Sequence, residues 1–271
     1  MPIHPTAIIH PDAKIAGEVD IGPYVCIEGA AEIGSRCVLH AHAILAGRVR
    51  LGSDNRVGYG AILGAPSQHL SFPPDHPGEV VIGNGNTIRE LCTIHRSTLD
   101  GGATSIGDCN YLMAGTHLAH DVRVADHVTI ANNTLLGGHV QVADRVFIGG
   151  GCVFHQHVRI GRLAIAQGAS AFSKDIPPFM LAAERNTVAG LNAIGLRRAG
   201  LEASQRQEIK NAFKLLYKSG LNTAQALAAS VELDWGAEAR EFFDFVRAAK
   251  KRGICDLLDG ARGQESAGEE E

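Results

Sequence analysis

The chain has 271 residues, 45% apolar, 20% charged and 5% aromatic, with 32 glycines and a net charge of −4. That is enough for one large domain or two smaller ones with a real core, and nothing in the charge argues for nucleic acid as a partner. Cys26, Cys37, Cys92, Cys109, Cys152 and Cys255 form no CxxC pair, which reads as reduced thiols of a cytoplasmic protein rather than a disulfide framework or zinc finger. The opening MPIHPTAIIHPDAK has no apolar signal-peptide region, and no apolar run approaches the ~20 residues of a membrane span.

From the N-terminus the sequence is a hexapeptide repeat. Stepping by six from Ile3 gives Ile9, Ile15, Ile21, Ile27, Ile33, Leu39, Leu45, Leu51, Val57 and Leu63, all aliphatic. The register breaks between Gly64 and Val81, then runs from Ile82 to Phe172, where only Asp100 is polar. Two residues before each aliphatic stands a small one, such as Ala7, Ala13, Ala31, Cys37, Ala43, Cys92, Thr116, Thr134 or Cys152. A period of six does not keep one face of an α-helix. It fits a triangular parallel β-helix in which each hexad makes one short strand and a turn, and three hexads close a coil. Twenty-seven hexads give about nine coils, about 43 Å long at the usual strand spacing. Gly22, Gly34, Gly52, Gly83 and Gly107 follow the aliphatic position, where a turn with unusual backbone angles is expected.

Two stretches leave the pattern. Gly64–Val81, rich in Pro and His, reads as an external loop, and LDGGATS at Leu99–Ser105 keeps the count but has turn chemistry. After the breaker KDIPPF, four segments read as helices: GLNAIGLRRAG, EASQRQEIKNAFKLLYKSG, NTAQALAAS and GAEAREFFDFVRAAKKRG. The expected division is a prism over 1–177 with its loop at 64–81, a helical domain over 178–259 and a polar, disordered tail over 260–271.

Stacking of coils 18 residues apart predicts spatial neighbours. His120 falls under Gly138, and His157 one coil from His139, so His117, His120, His139, His155 and His157 gather on one outer wall. Three chemistries fit such a cluster. His120 is a general base oriented by Asp121, with the Gly138 N–H facing a developing oxyanion. Alternatively the histidines hydrogen-bond across a subunit contact. A third reading is three imidazoles and a water on zinc, as in a carbonic-anhydrase-type hexapeptide protein. That protein spaces its histidines differently and lacks a long helical tail.

The segments LCTIHRST, NYLMAGTHLAHD, TIANNTLLGGHV, VFHQ, KDIPPF and GLNAIGLRRAG resemble the bacterial acyl-carrier-protein–UDP-N-acetylglucosamine O-acyltransferases of lipid A synthesis, over about residues 3–258. The resemblance implies a left-handed parallel β-helix of hexapeptide repeats followed by a C-terminal α-helical domain, assembled as a cytoplasmic homotrimer with active sites in clefts between subunits. It implies transfer of an (R)-3-hydroxyacyl chain from acyl carrier protein to the sugar 3-hydroxyl of a UDP-amino sugar, without metal or redox cofactor. On this chain His120 is then the base, Asp121 its orienting acid and Gly138 the oxyanion donor. His117, His139, His155, Gln156, Gln68, Asn192 and Arg198 contact substrate, and Gly168 sets acyl length, its small size favouring a longer chain. A basic stripe, Arg206, Lys210, Lys214 and Lys218, is either an ordinary solvated face or a dock for the acidic carrier protein.

The chain departs from the family pattern in the external loop, where QHLS puts His69 in place of an acid and Ser71 in place of a lysine. Ile194 stands for a family glutamate near the ribose. These changes bear on the sugar nucleotide, including whether its acceptor is a hydroxyl or a 3-amino group. Other readings are a related hexapeptide acyltransferase, of the N-acylating or the acetyl-CoA-dependent kind, and a non-catalytic β-helix paralogue. The N-acylating enzymes carry an extra N-terminal domain, whereas here the hexads start at residue 3.

Overall fold

A computed structural model describes residues 3–73 and 76–258; the tail assigned to 260–271 lies outside them. The hexads fold into a three-walled left-handed prism. The first wall has nine strands, from Ile8–Ile9 to Ala171–Phe172, and the second eight, from Lys14–Ile15 to Arg159–Ile160. The third begins at Asp20–Ile21 and has eleven. The second residue of each two-residue strand points inward: Ile27, Leu45, Leu118 and Leu136 are at most 1% exposed. Full burial of such a side chain stabilises by about 1.5–3 kcal/mol, repeated at every strand.

The small residues two before them pack into the corners. Several of the polar ones cap a turn carbonyl: Cys37 Sγ donates to the Gly52 carbonyl (3.0 Å), Thr116 Oγ1 to Met113 (2.7 Å) and Thr134 Oγ1 to Gly149 (3.1 Å). Left-handed backbone falls three residues after the inward aliphatic, as at Asp121 (φ 63°), His139 (61°) and His157 (65°). Asp, Asn and His are among the side chains that enter that region most readily. The glycines directly after the aliphatic serve another purpose than the one expected. A Cβ on Gly34 would lie 2.6 Å from the backbone carbon of Gly52 in the next coil, so these glycines answer to close stacking.

Coil stacking keeps its 18-residue step except around the two breaks and at the C-terminal cap, where Ala166 pairs with Ala182. Across the first, Leu63 pairs with Ile94, and across the second, Ile94 pairs with Leu118. The second break is therefore one hexad extruded from the prism, which explains why Asp100 is polar. The irregular part of the external loop is shorter than 64–81, because Ile62–Ala65 and Glu79–Ile82 extend the walls on either side.

The helical part also begins later than 178. Met180–Ala183 and Thr187–Leu191 form an antiparallel hairpin that continues the third wall, closed by Asp256–Leu257. Met180, Ala182 and Val188 are buried, so the chain caps the open end of the prism before turning helical. Among the described residues four helices follow, α1 (Ala193–Arg198), α2 (Ala203–Tyr217), α3 (Thr223–Val231) and α4 (Ala237–Arg247). Ile209, Phe213, Leu216, Phe242, Phe243 and Val246 make their shared core. Arg162 pairs with Glu241 at 2.7 Å and Arg159 covers the Phe245 ring at 4.3 Å, fixing α4 against the prism.

Candidate active site

The corner between the first and second walls carries the cluster. His120 and Asp121 occupy one coil, Gly138 and His139 the next, Gln156 and His157 the one after. His120 Nδ1 lies 2.8 Å from Asp121 Oδ2, with side chains 13% and 4% exposed. Because a carboxylate only accepts, Nδ1 carries the proton and Nε2 keeps its lone pair. A Cβ on Gly138 would lie 2.7 Å from His120 Nε2, so only glycine leaves this ring in place. Among the described residues no acceptor takes the Gly138 N–H.

Asp121 is held by residues that sequence reading did not single out. Ser97 Oγ donates to Oδ1, Thr98 Oγ1 donates to Oδ2 at 2.7 Å, and the Thr98 N–H reaches the same oxygen at 3.3 Å. The Asp121 N–H donates to Thr104 Oγ1 at 2.8 Å. Ser97 and Thr98 close the LCTIHRST segment, which carried the resemblance without a role for either residue, and stand in the extruded stretch between the strands Thr93–His95 and Ala103–Ile106. Burial works against the charged form of Asp121, but the hydrogen bonds from Ser97, Thr98 and His120 outweigh it and hold the carboxyl below its ordinary value.

The neighbouring imidazoles form a continuous array. His139 meets His120 edge to face at 5.1 Å and stacks on His157 at 4.5 Å. His139 is lowered from its ordinary value chiefly by burial, with Asp121 pulling the other way. His117 packs on the other side, tilted against His95 at 5.1 Å, with Nδ1 2.8 Å from Thr93 Oγ1. Burial, assisted by His95, pushes His117 down to about 4. His95 Nδ1 in turn donates to the Pro66 carbonyl at 2.6 Å and pins the start of the external loop. That loop brings the His69 ring to 6.0 Å from His120, edge to face, while Gln68 beside it is exposed.

The other expected site residues do not converge on this corner within one chain. Gly168 is exposed on the corner between the third and first walls, with Gly150 behind it. Asn192 has both ends of its amide engaged internally: Oδ1 caps α1 by accepting from the Gly195 N–H (2.9 Å), and Nδ2 donates to the Leu163 carbonyl (2.8 Å). Its expected contact with substrate gives way to a helix-capping role. Arg198 and Ile194 are exposed on α1. His155 and Gln156 are exposed and meet Arg252, also unexpected from sequence, whose guanidinium donates to His155 Nδ1 (2.5 Å) and to the Gln156 carbonyl (2.9 Å). On α2, Lys210 is exposed, but Arg206 turns back onto the Leu201 carbonyl.

His120, Asp121 and His139 offer ligand atoms within 4.8 Å of one another. A cation there would have to displace the donors already on both Asp121 oxygens, which makes this a poor metal set and a good hydrogen-bonded base.

Over residues 175–255 the chain matches the family described as Udp N-acetylglucosamine O-acyltransferase, domain 2, and over 103–138 the bacterial transferase hexapeptide (six repeats). It is 40% identical over 247 residues to the acyl-[acyl-carrier-protein]–UDP-N-acetylglucosamine O-acyltransferase of Halorhodospira halophila, covering 90% of this chain and 95% of that one. The corresponding protein of Syntrophobacter fumaroxidans is 42% identical over 258 residues, with 94% and 99% covered. A UDP-N-acetylglucosamine acyltransferase structure from Bacteroides fragilis superposes with a TM-score of 0.89 at 38% identity, covering 93% of this chain and 99% of that one. With prism, hairpin and helical cap all matched, the chain belongs to the acyl-[acyl-carrier-protein]–UDP-N-acetylglucosamine O-acyltransferase family.

Proposed function

We propose that this chain moves an (R)-3-hydroxyacyl group from the thioester of acyl carrier protein to the 3-hydroxyl of UDP-N-acetylglucosamine, the first step of lipid A biosynthesis. The observation that carries the mechanism is the His120–Asp121 pair, whose Nδ1 proton is held by the carboxylate so that Nε2 is free. Nε2 takes the hydroxyl proton as the sugar oxygen attacks the thioester carbonyl. The Gly138 N–H faces the oxyanion that forms. Collapse expels the pantetheine thiolate, which receives the proton from His120, leaving an ester and a free thiol. No metal or redox group enters this sequence. His117, His139, His155, Gln156, Gln68 and Arg198 are substrate contacts in this reading, and Gly168 limits acyl length.

The walls support a cyclic trimer. Outward residues of the first wall include Ile8, Ile44, Ile62, Leu135, Val153 and Ala171, with Ile8 68%, Leu135 45% and Val153 42% exposed. On the second wall they include Lys14, Glu32, Arg50, Arg123, Gln141 and Arg159. Three copies packed through the apolar wall bury it and bring the Gly168 corner of one against the His120 corner of the next. The carrier protein docks on Arg206, Lys210 and Lys214, and its binding weakens with salt. The reaction belongs in the cytoplasm, in keeping with six free thiols.

One observation favours a second acceptor. The His69 ring stands 6.0 Å from His120, at the loop position where the resemblance implies an acid. A carboxylate there would hold an amine as unreactive ammonium, whereas an imidazole does not. A 3-amino sugar nucleotide is therefore an alternative acceptor. Incubation with a panel of acyl-carrier thioesters and UDP-sugars, read by product mass, tests both: an ester on UDP-N-acetylglucosamine supports the first reading, an amide made only on the 3-amino analogue the second. A panel without acyl product overturns both.

A further inference from the structure

We infer that Ser97 and Thr98, carried on the extruded hexad, are positioning residues for the acyl-transfer step, acting on His120 through Asp121. The inference rests on the reading of His120 as general base. The Asp121 side chain is 4% exposed, so its orientation is set by the protein. Oδ1 takes the Ser97 hydroxyl, and Oδ2 takes both the Thr98 hydroxyl at 2.7 Å and the Thr98 N–H at 3.3 Å. These donors fix the carboxylate plane and leave one direction of Oδ2 for His120 Nδ1, at 2.8 Å. The Thr98 hydroxyl also sits 3.4 Å from His120 Nδ1, so it packs against the ring it helps to aim.

The hexad is shaped to make this grip. Gly101 takes a left-handed turn (φ 66°), and a Cβ on Gly102 would lie 2.6 Å from Ser97 Oγ. The Leu99 N–H donates to Ser97 Oγ at 3.0 Å, which turns the Ser97 proton toward Asp121. Ser97 is fully buried. Regular hexads also bond corner to corner, as Ser35 does to Ser53 and Arg36 to Asp54, but those pairs are part-buried or exposed. The extruded stretch sets two hydroxyls on a carboxylate that is nearly sealed from solvent. Their donors also offset the burial that opposes the charged carboxylate, keeping an anion beside the imidazole when it takes up a proton.

Thr98→Val removes the hydroxyl and keeps the shape; Thr98→Ser restores it. The experiment measures kcat and acceptor KM for wild type, T98V, T98S and S97A, with thermal unfolding of each and with H120A as reference. The expected result is a kcat reduced about ten-fold in T98V and in S97A, the scale of losing a hydrogen bond to a charged group. Acceptor KM should change by less than about two-fold and T98S should stand within about three-fold of wild type. If H120A is inactive while folded T98V and S97A keep wild-type kcat, the inference is overturned and the general base stands. Should H120A itself stay active, the base reading falls and this inference with it. If T98V and S97A lose the fold, T98A read against T98S at temperatures where both are folded decides: a kcat about ten-fold lower in T98A than in T98S supports positioning by the hydroxyl, and equal kcat in the two overturns it.

Discussion

The prism carries the same pair of residue types on the same corner in two of its coils, with different results. Near the start, His10 and Asp12 flank the turn after Ile9; their side chains are 39% and 75% exposed and the closest approach is 3.8 Å. Further along, His120 and Asp121 flank the turn after Leu118 at 2.8 Å, with Asp121 nearly sealed from solvent. Hexad geometry alone thus yields a solvated pair with little mutual hold, of the kind that contributes ~0–1 kcal/mol. The first half runs unbroken to Leu63. One interruption separates it from the second half and another falls within the second, and both fold onto this corner, the later supplying Ser97 and Thr98 and the earlier His69. Chemistry arises where the repeat is broken, because only an extruded segment can close over a corner that otherwise faces water.

The sharpest way to break that contrast is His120→Ala. Its expected effect is a loss of turnover of at least ~100-fold, the scale of losing a positioned general base, with a melting temperature close to wild type because the ring lies outside the prism core. Initial rates at saturating carrier substrate check it; near-normal activity would remove the second half's claim to be different. Next comes Gly138→Ala. The added Cβ would stand 2.7 Å from two atoms of the His120 ring, so the ring must move, and a displacement of about 1 Å costs up to ~100-fold. A kcat reduced ten- to 100-fold with an intact fold is expected, and a variant with unchanged kcat would show that the ring does not need its present place.

A smaller effect concerns stability. His117 is pushed down to about 4 in the folded chain by burial, against about 6.5 when unfolded. Between those values the unfolded chain binds more protons, so stability should fall as pH drops from about 6.5 toward 4 and change little above 6.5. Denaturant midpoints at pH 7 and pH 5 for wild type and His117→Gln would measure it. The pH-dependent loss should shrink in the variant, and an equal loss in both would assign it to other groups.

Much of this was legible beforehand, for a physical reason. Aliphatics at Ile82, Ile88, Ile94 and every sixth position state the inward face directly, because period six is incompatible with the 3.6-residue helix. The neighbours of His120 followed from the 18-residue step, which holds from Leu118 onward. What was not legible lies where that step fails. Ser97 is 24 residues from Asp121 rather than 18, because the extruded hexad adds six. The hairpin after residue 178 was misjudged as helical because Met180–Ala183 and Thr187–Leu191 have too few residues to show a period, and only their pairing with the third wall defines them. Asn192 carried a recognisable motif, yet its amide is engaged in capping α1. Sequence likeness fixes which residue stands at a place, and not what its polar atoms bond.

The last prediction is the control that gives the others their meaning. His10→Ala should leave kcat and KM unchanged and shift stability by no more than ~0.5 kcal/mol, as for ordinary surface substitutions. His10 has a carboxylate nearby and sits at the corner shared with His120, one place earlier in its hexad, so residue types and corner are the same in the two experiments. The covering differs as well: among the described residues no inserted segment reaches Asp12, whose side chain remains 75% exposed. In water a carboxylate is hydrated on all sides and its orientation toward the imidazole is lost within the thermal motion of a surface side chain. Loss of activity in the His10 variant, measured as steady-state rates at saturating substrate, would mean that proximity on the corner suffices and that the extruded hexad is dispensable. An unchanged rate assigns the difference between the two pairs to the broken hexads.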